Sequence, residues 1–238
     1  MSNSYFSFKQ FTIYHDQCAM KVGTDGVLLG SWSGLENASR ILDVGTGSGL
    51  IAVMLAQRSG AVIDGVEIEK NACLQARKNV TGSPWHKRIN VYHDSIRHFS
   101  ETTSLRYSGI VSNPPYFRNS LKPPVKSRSM AKHNTDLDYA TLLSCSSKLL
   151  IPGGRLSIII PAVDQKQFTS LADFHRLQPS RLTWVKPAPG KPYSRCLMEF
   201  SVIAGMACIE NELIIRMDDL KSYTSDYIEL TKDFYLGF

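Results

Sequence analysis

The chain has 238 residues, 43% of them hydrophobic, and a formal net charge of +6. That length favours one domain with a full buried core, and the composition excludes a disordered chain. Met1–Gln10 has no apolar core, so no signal peptide is expected. The longest aliphatic runs, such as Leu156–Ile160, are far too short to span a membrane. A cytoplasmic protein is therefore expected. Its five cysteines (Cys18, Cys73, Cys145, Cys196, Cys208) are scattered and form no C-x-x-C pair. Neither a zinc site nor a disulfide framework is expected, and the thiols read as reduced.

Phe8–Met20 is mixed and aromatic and yields no clear element. Lys21–Gly26 reads as a turn in which Thr24 or Asp25 caps a short helix over Val27–Trp32, stopped by Gly34. Arg40–Val44 is the first clear strand. Gly45-Thr46-Gly47-Ser48-Gly49 follows directly, and Leu50–Arg58 reads as a helix with Ile51, Met54 and Leu55 on one face. Ala61–Val66 is a strand ending at Glu67, and Lys70–Val80 a helix. Ile89–His93 is a strand followed by Asp94. Tyr107–Val111 is a strand feeding Ser112-Asn113-Pro114-Pro115-Tyr116-Phe117. Leu137–Leu150 is a helix ended by Pro152-Gly153-Gly154. Arg155–Ile160 is the fifth strand and Val163–His175 another helix. Arg181–Val185 and Cys196–Ile203 predict a hairpin around the proline-rich loop Lys186–Pro192. Asn211–Arg216 is a further candidate strand and Ser225–Tyr235 a closing helix.

Alternating strands and helices with apolar strands predict a parallel sheet covered on both faces. Ligands bind such sheets at the carboxyl ends of the strands. Gly45, Glu67, Asp94 and Asn113 all fall at those ends.

Positive charge is unevenly spread. Arg118–His133 carries Arg118, Lys122, Lys126, Arg128 and Lys132 with no acid. Phe174–Met198 carries Arg176, Arg181, Lys186, Lys191 and Arg195, again with no acid. Without those ten, the rest of the chain has 17 basic and 21 acidic residues. Charge confined to two segments points to a patch that meets a polyanion.

The hook Asn113-Pro114-Pro115-Tyr116 is stiff. Both prolines fix φ and lack an N–H, and each keeps the residue before it extended. The hook presents a carboxamide, backbone carbonyls and an aromatic ring. These are acceptors for an –NH2 group beside a plate for a flat π system.

A strand, glycine turn and helix is the general nucleotide-binding layout. Here the spacing is G-x-G-x-G, through Gly45, Gly47 and Gly49. Asp43 just before the turn disfavours a pyrophosphate and suits a cationic ligand. Glu67 lies where an acid takes both ribose hydroxyls. Asp94 is placed either to accept from an adenine amino group or to cap a loop, and Ile68 to pack on the adenine face. Ribose, adenine and a cationic amino-acid tail together describe S-adenosylmethionine.

Asp43–Gly49 together with Asn113–Tyr116 resembles the class I S-adenosylmethionine-dependent methyltransferases that modify –NH2 groups. Cys18–Gly26, Ser83-Pro84-Trp85, Thr135-Asp136-Leu137-Asp138 and Phe234-Tyr235-Leu236 are similar to the bacterial tRNA(Val) adenine-N6 methyltransferase family. The resemblance covers nearly the whole chain and departs in Arg118–Lys132 and Pro187–Pro192. It implies a doubly wound, Rossmann-like sheet of seven mostly parallel strands with the last reversed. It implies that Cys18–Gly26 closes over the cofactor, with Lys21, Thr24 and Asp25 among the contacts. Residues 1–36 would then cap the cofactor, 37–204 form the core and 205–238 an extension. The implied reaction is methyl transfer to the adenosine 3′ of the anticodon, tRNA position 37, with the two basic segments facing RNA.

In that reading Asn113 Oδ1 and the Pro114 carbonyl accept the two N–H bonds of the amine and turn its lone pair toward the methyl group. Tyr116 stacks on the extruded base. Two other readings compete: a protein glutamine methyltransferase, and an RNA-binding module without catalysis. Such glutamine enzymes carry a longer N-terminal helical domain. A module without catalysis need not keep glycine loop, Glu67 and hook together. The oligomeric state is not legible.

Overall fold

The structure, a computed structural model, describes residues 3–116, 137–202 and 207–238. Tyr5–Ser7 (β1) and Thr12–Tyr14 (β2) form a small antiparallel sheet of their own. Thr24–Trp32 (α1) precedes the alternating core: Arg40–Val44 (β3), Leu50–Arg58 (α2), Val62–Glu67 (β4), Lys70–Thr81 (α3), Ile89–His93 (β5), Ile96–Thr102 (α4) and Tyr107–Ser112 (β6). The second half runs through Tyr139–Leu149 (α5), Leu150–Pro161 (β7), Gln165–Phe174 (α6), Gln178–Lys186 (β8), Arg195–Ser201 (β9), Ile209–Ile214 (β10) and Ser225–Thr231 (α7).

The main sheet has the order β10-β8-β9-β7-β6-β3-β4-β5. Every pairing is parallel except those of β9, which runs against both β7 and β8. This is the doubly wound arrangement expected, with its reversed strand, and β10 adds an eighth strand at the edge. The chain winds from β3 outward through β4 and β5, then returns to start β6 on the other side of β3. The winding direction changes between β3 and β6, and a crevice opens there at the carboxyl ends.

Burial explains why the strands read as apolar runs. In β3 only Arg40 is not buried, and in β6 only Ser108. Successive side chains then feed opposite faces. Ile41 packs with Leu28, Val53 and Ile63 on one face; Leu42 packs with Ile110, Leu143 and Ile158 on the other.

The differences from expectation have local causes. β1 and β2 have three residues each and α4 has seven, too short for a periodic signal. The residues Ile151–Gly154 do not simply end a helix. They form a bulge inside β7, between the pairings Tyr107↔Leu150 and Gly109↔Arg155. Neither Thr24 nor Asp25 caps α1: extended Gly23 is its N-cap and makes no side-chain bond.

Candidate active site

The glycine turn bridges β3 and α2 and is built by backbone strain that only glycine relieves. Gly45, Gly47 and Gly49 have φ of 71°, 57° and 82°, in the left-handed region. Four of its amides are already spent. Gly45 and Thr46 N–H donate to Val66 O, Gly49 N–H to Thr46 O, and Gly47 N–H to Glu67 Oε2 at 2.9 Å. A phosphate cradle needs such donors free; here a carboxylate holds the one from Gly47.

Glu67 is buried at the end of β4, where Oε1 accepts from Glu69 N–H at 2.8 Å. Two cavities meet at Gly45. The larger, about 490 Å³, is walled by Lys21, Thr24, Asp25, Gly47 and Asn113, together with Ser194 and with Arg195 at the start of β9. The smaller, about 70 Å³, is walled by Glu67, Ile68, Asp94 and Leu137. Ile68 is exposed, as a packing surface for a flat ring must be. Asp94 is partly committed: Oδ1 accepts from Ser95 N–H at 2.7 Å, and His98 Nδ1 lies 2.8 Å from Oδ2. That hydrogen bond raises the His98 pKa. The N-cap of α4 is Ser95, not Asp94.

Asp43 stands differently from expectation. It is fully buried beneath the turn and borders neither cavity. Thr46 Oγ1 donates to its Oδ2 at 2.6 Å, while Oδ1 completes no hydrogen bond. Burial pushes its carboxyl up to about 7, against the Thr46 hydroxyl and the nearby Ala52 amide. Asp43 is tied to the turn through Thr46, with the Ala52 amide of α2 beside it.

β6 ends at Ser112, and Asn113 opens into the larger cavity. Pro114 is buried and Pro115 exposed. The Tyr116 hydroxyl lies 2.9 Å from Asn113 Oδ1 and 3.0 Å from Asp25 Oδ2. The Arg195 guanidinium covers the Tyr116 ring, 4.9 Å from its centroid, and its Nε donates to Asp25 Oδ2 at 2.8 Å. One face of the expected stacking plate is thus already taken.

The basic segments fare unequally. Arg118, Lys122, Lys126, Arg128 and Lys132 lie outside the described residues. In the second segment, folding supplies the acids that the linear stretch lacks. Arg181 meets Glu199 at 3.3 Å, Lys186 meets Glu212 at 2.6 Å, and Arg195 meets Asp25 at 2.8 Å. Lys186 and Arg195, expected as RNA contacts, are ion-paired within the chain; Lys191 is exposed on the β8–β9 turn. That turn does reach the edge expected of it. Arg195 pairs with both Pro161 and Val185, at the carboxyl end of β7. Sequence reasoning missed Ser194, Val185 and Ile215 as cavity walls; β-strand ends far from any motif carry no local signal.

Comparison with known proteins identifies the class first. The methyltransferase small-domain family model matches residues 26–175. The fold is shared with a predicted O-methyltransferase from Agrobacterium tumefaciens, with a TM-score of 0.70, 20% identity, and 88% of this chain and 96% of that one covered. It is shared too with a T. thermophilus 16S rRNA N2 G1207 methyltransferase in complex with AdoMet and guanosine, with a TM-score of 0.58, 17% identity, and 84% and 51% covered. At those identities the likeness is one of fold. Curated relatives narrow the match. Proteins named tRNA1(Val) (adenine(37)-N6)-methyltransferase are 44% identical in Parabacteroides distasonis and 47% in Bacteroides fragilis, each over 99% of both chains. One from Trichodesmium erythraeum is 45% identical over 100% of both. The chain belongs to the methyltransferase small-domain family and, within it, to the family of these tRNA adenine-N6 methyltransferases.

Proposed function

We propose that the chain transfers a methyl group from S-adenosylmethionine to the exocyclic N6 of adenosine 37 in tRNA(Val), next to the anticodon. The observation that carries this is the opening of Asn113 into the same cavity as the Gly45–Gly49 turn. The amine acceptor and the cofactor turn then share one space. The residues fit this cofactor better than a dinucleotide, since four of the turn's amides, those of Gly45, Thr46, Gly47 and Gly49, are held by acceptors within the chain. S-adenosylmethionine supplies an electrophilic methyl group on a sulfonium.

In this reading Glu67 keeps a second lone pair on each carboxylate oxygen for the ribose hydroxyls. Ile68 packs on the adenine face, and Asp94 edges the same small cavity. Lys21 and Thr24, from the segment 1–36 that caps the site, wall the larger cavity beside Gly45 and Gly47, whereas Gly49 borders neither cavity. Asn113 Oδ1 and the Pro114 carbonyl accept from the target amine, which loses its delocalisation and becomes nucleophilic. Pro115 keeps the hook extended, and Tyr116 flanks the base. No nucleophile of the chain is required, so positioning and electrostatics carry the rate. The exposed Lys191 meets the tRNA phosphates, and the basic residues Arg118, Lys122, Lys126, Arg128 and Lys132 supply further charge for them. Among the described residues no helix is long and apolar enough to cross a membrane; a tRNA substrate supports a cytoplasmic location.

The test is nucleoside mass spectrometry of tRNA after incubation with the protein and labelled methyl donor. N6-methyladenosine at position 37 is expected. Asn113→Ala should lower turnover by about 10²–10³ with S-adenosylmethionine affinity retained. Label in a glutamine-containing protein substrate, and none in tRNA adenine, would overturn the reading.

A further inference from the structure

Tyr116 sits between two acceptors with one proton to give. Its hydroxyl lies 2.9 Å from Asn113 Oδ1 and 3.0 Å from Asp25 Oδ2. A phenol donates one hydrogen bond, so one contact at a time holds the proton. Burial, with Asp25 beside it, pushes the Tyr116 pKa up, so the proton stays on the phenol. Asp25 is fixed in turn by Arg195, whose Nε lies 2.8 Å from the same Oδ2. Three segments remote in sequence meet on this hydroxyl: the first turn of α1, the hook, and the start of β9.

The proposed reaction needs Asn113 Oδ1 as an acceptor for the target amine. While Tyr116 donates there, one lone pair is taken and the carboxamide is tied to the phenol. Asp25 offers that proton another partner.

We propose that Asp25 is a positioning residue that releases Asn113 for the amine, a role that rests on the functional reading above. When the amine arrives, the Tyr116 O–H rotates from Asn113 Oδ1 to Asp25 Oδ2. One hydrogen bond breaks, one forms, and no proton leaves the tyrosine. The tyrosine oxygen then turns a lone pair toward the carboxamide, which directs Asn113 Oδ1 to the amine. Arg195 keeps Asp25 in place for the exchange. Asp25 thereby acts toward the substrate base and not toward the cofactor.

Single-turnover methylation of tRNA at saturating S-adenosylmethionine reads the exchange. Asp25→Ala leaves Tyr116 only Asn113, so the rate should fall roughly ten-fold, the worth of one competing hydrogen bond. Calorimetric affinity for S-adenosylmethionine should not change. Asp25→Asn keeps an acceptor oxygen and should stay close to the wild-type rate, which also checks that the fold tolerates the site. Tyr116→Phe removes the competing proton while keeping the ring. The double variant Asp25→Ala/Tyr116→Phe should therefore be faster than Asp25→Ala alone. A double variant slower than both single variants overturns the inference. So does an Asp25→Ala enzyme that loses cofactor affinity but keeps its rate at saturation. A wild type that leaves tRNA adenine unmethylated overturns the functional reading and this inference with it.

Discussion

Asp43 and Asp64 sit on adjacent strands, one residue row apart and on opposite faces of the sheet, and both are fully buried. Their surroundings differ. Asp64 accepts from Arg40 Nη1 at 2.6 Å, Asn90 Nδ2 at 2.8 Å and Tyr107 Oη at 3.0 Å. Those donors come from β3, β5 and β6, so one carboxylate laces together the strands around the switch point. Asp43 has one side-chain donor, Thr46, and an oxygen without a partner. A buried polar group that is fully satisfied stiffens a frame; one left short marks where the chain carries strain for another purpose. The frame lies toward the amino ends of the strands and the site at their carboxyl ends.

The comparison breaks most visibly if the Asp64 network is removed. Asp64→Ala leaves the buried Tyr107 hydroxyl and the Asn90 amide without their acceptor. Loss of one partner of a buried charged network costs about 3–5 kcal/mol, and Arg40, which is partly exposed, can turn to water and keep the loss near the lower end. Urea unfolding should show this drop in stability. S-adenosylmethionine affinity, measured where the variant is still folded, should stay as in the wild type. A variant of unchanged stability would show that the lacing contributes nothing.

Asp43 tests the other half through pH. Its folded carboxyl titrates at about 7, above the ordinary 3.8, because burial disfavours the charged form. Between those values the folded chain binds this proton more tightly than the unfolded chain. Stability from this group is therefore present below the lower value and lost as pH rises through the higher one, with a slope of at most about 1.4 kcal/mol per pH unit. Asp43→Asn has no such proton. Its stability relative to wild type should grow between about pH 4 and about pH 7 and stay level above. A difference independent of pH across that window would sink the assignment.

What could be read from the chain divides along the same line. The turn Gly45–Gly49, the acid at Glu67 and the hook at Asn113 are local signals, because backbone geometry and side chain lie within a few residues of each other. The strands β3, β5 and β6 were legible as short stretches rich in aliphatic and aromatic residues, set between turn and helix signals. Asp64 drew no notice, since its three donors lie 24, 26 and 43 residues away in sequence. Asp43 was seen but misdirected: its position before the turn was legible, whereas the side of the sheet it enters is set by the register with Gly65. The ion pairs of the second basic segment were hidden for the same reason. Its counter-charges, Asp25, Glu199 and Glu212, arrive from α1, β9 and β10.

That last point yields the smallest and sharpest contrast. Lys186 and Lys191 flank one proline-rich turn at the carboxyl edge and look equivalent in sequence. In the fold Lys186 is held by Glu212 and lies 4.5 Å over the Tyr193 ring. A phosphate would have to displace both interactions, so Lys186 gains little on binding RNA. Lys191 is exposed, and no side-chain ion pair ties it among the described residues. Of the two, Lys191 is the one open to a phosphate if this turn meets RNA. Lys191→Glu should weaken tRNA binding and reduce the slope of log affinity against log salt by about 0.7–0.9. Lys186→Glu should leave that slope nearly unchanged, and S-adenosylmethionine affinity should hold in both. Filter binding across a salt series separates the two. Equal changes in slope would mean that the Lys186–Glu212 pair opens to RNA, and no change in either would remove the β8–β9 turn from the tRNA interface.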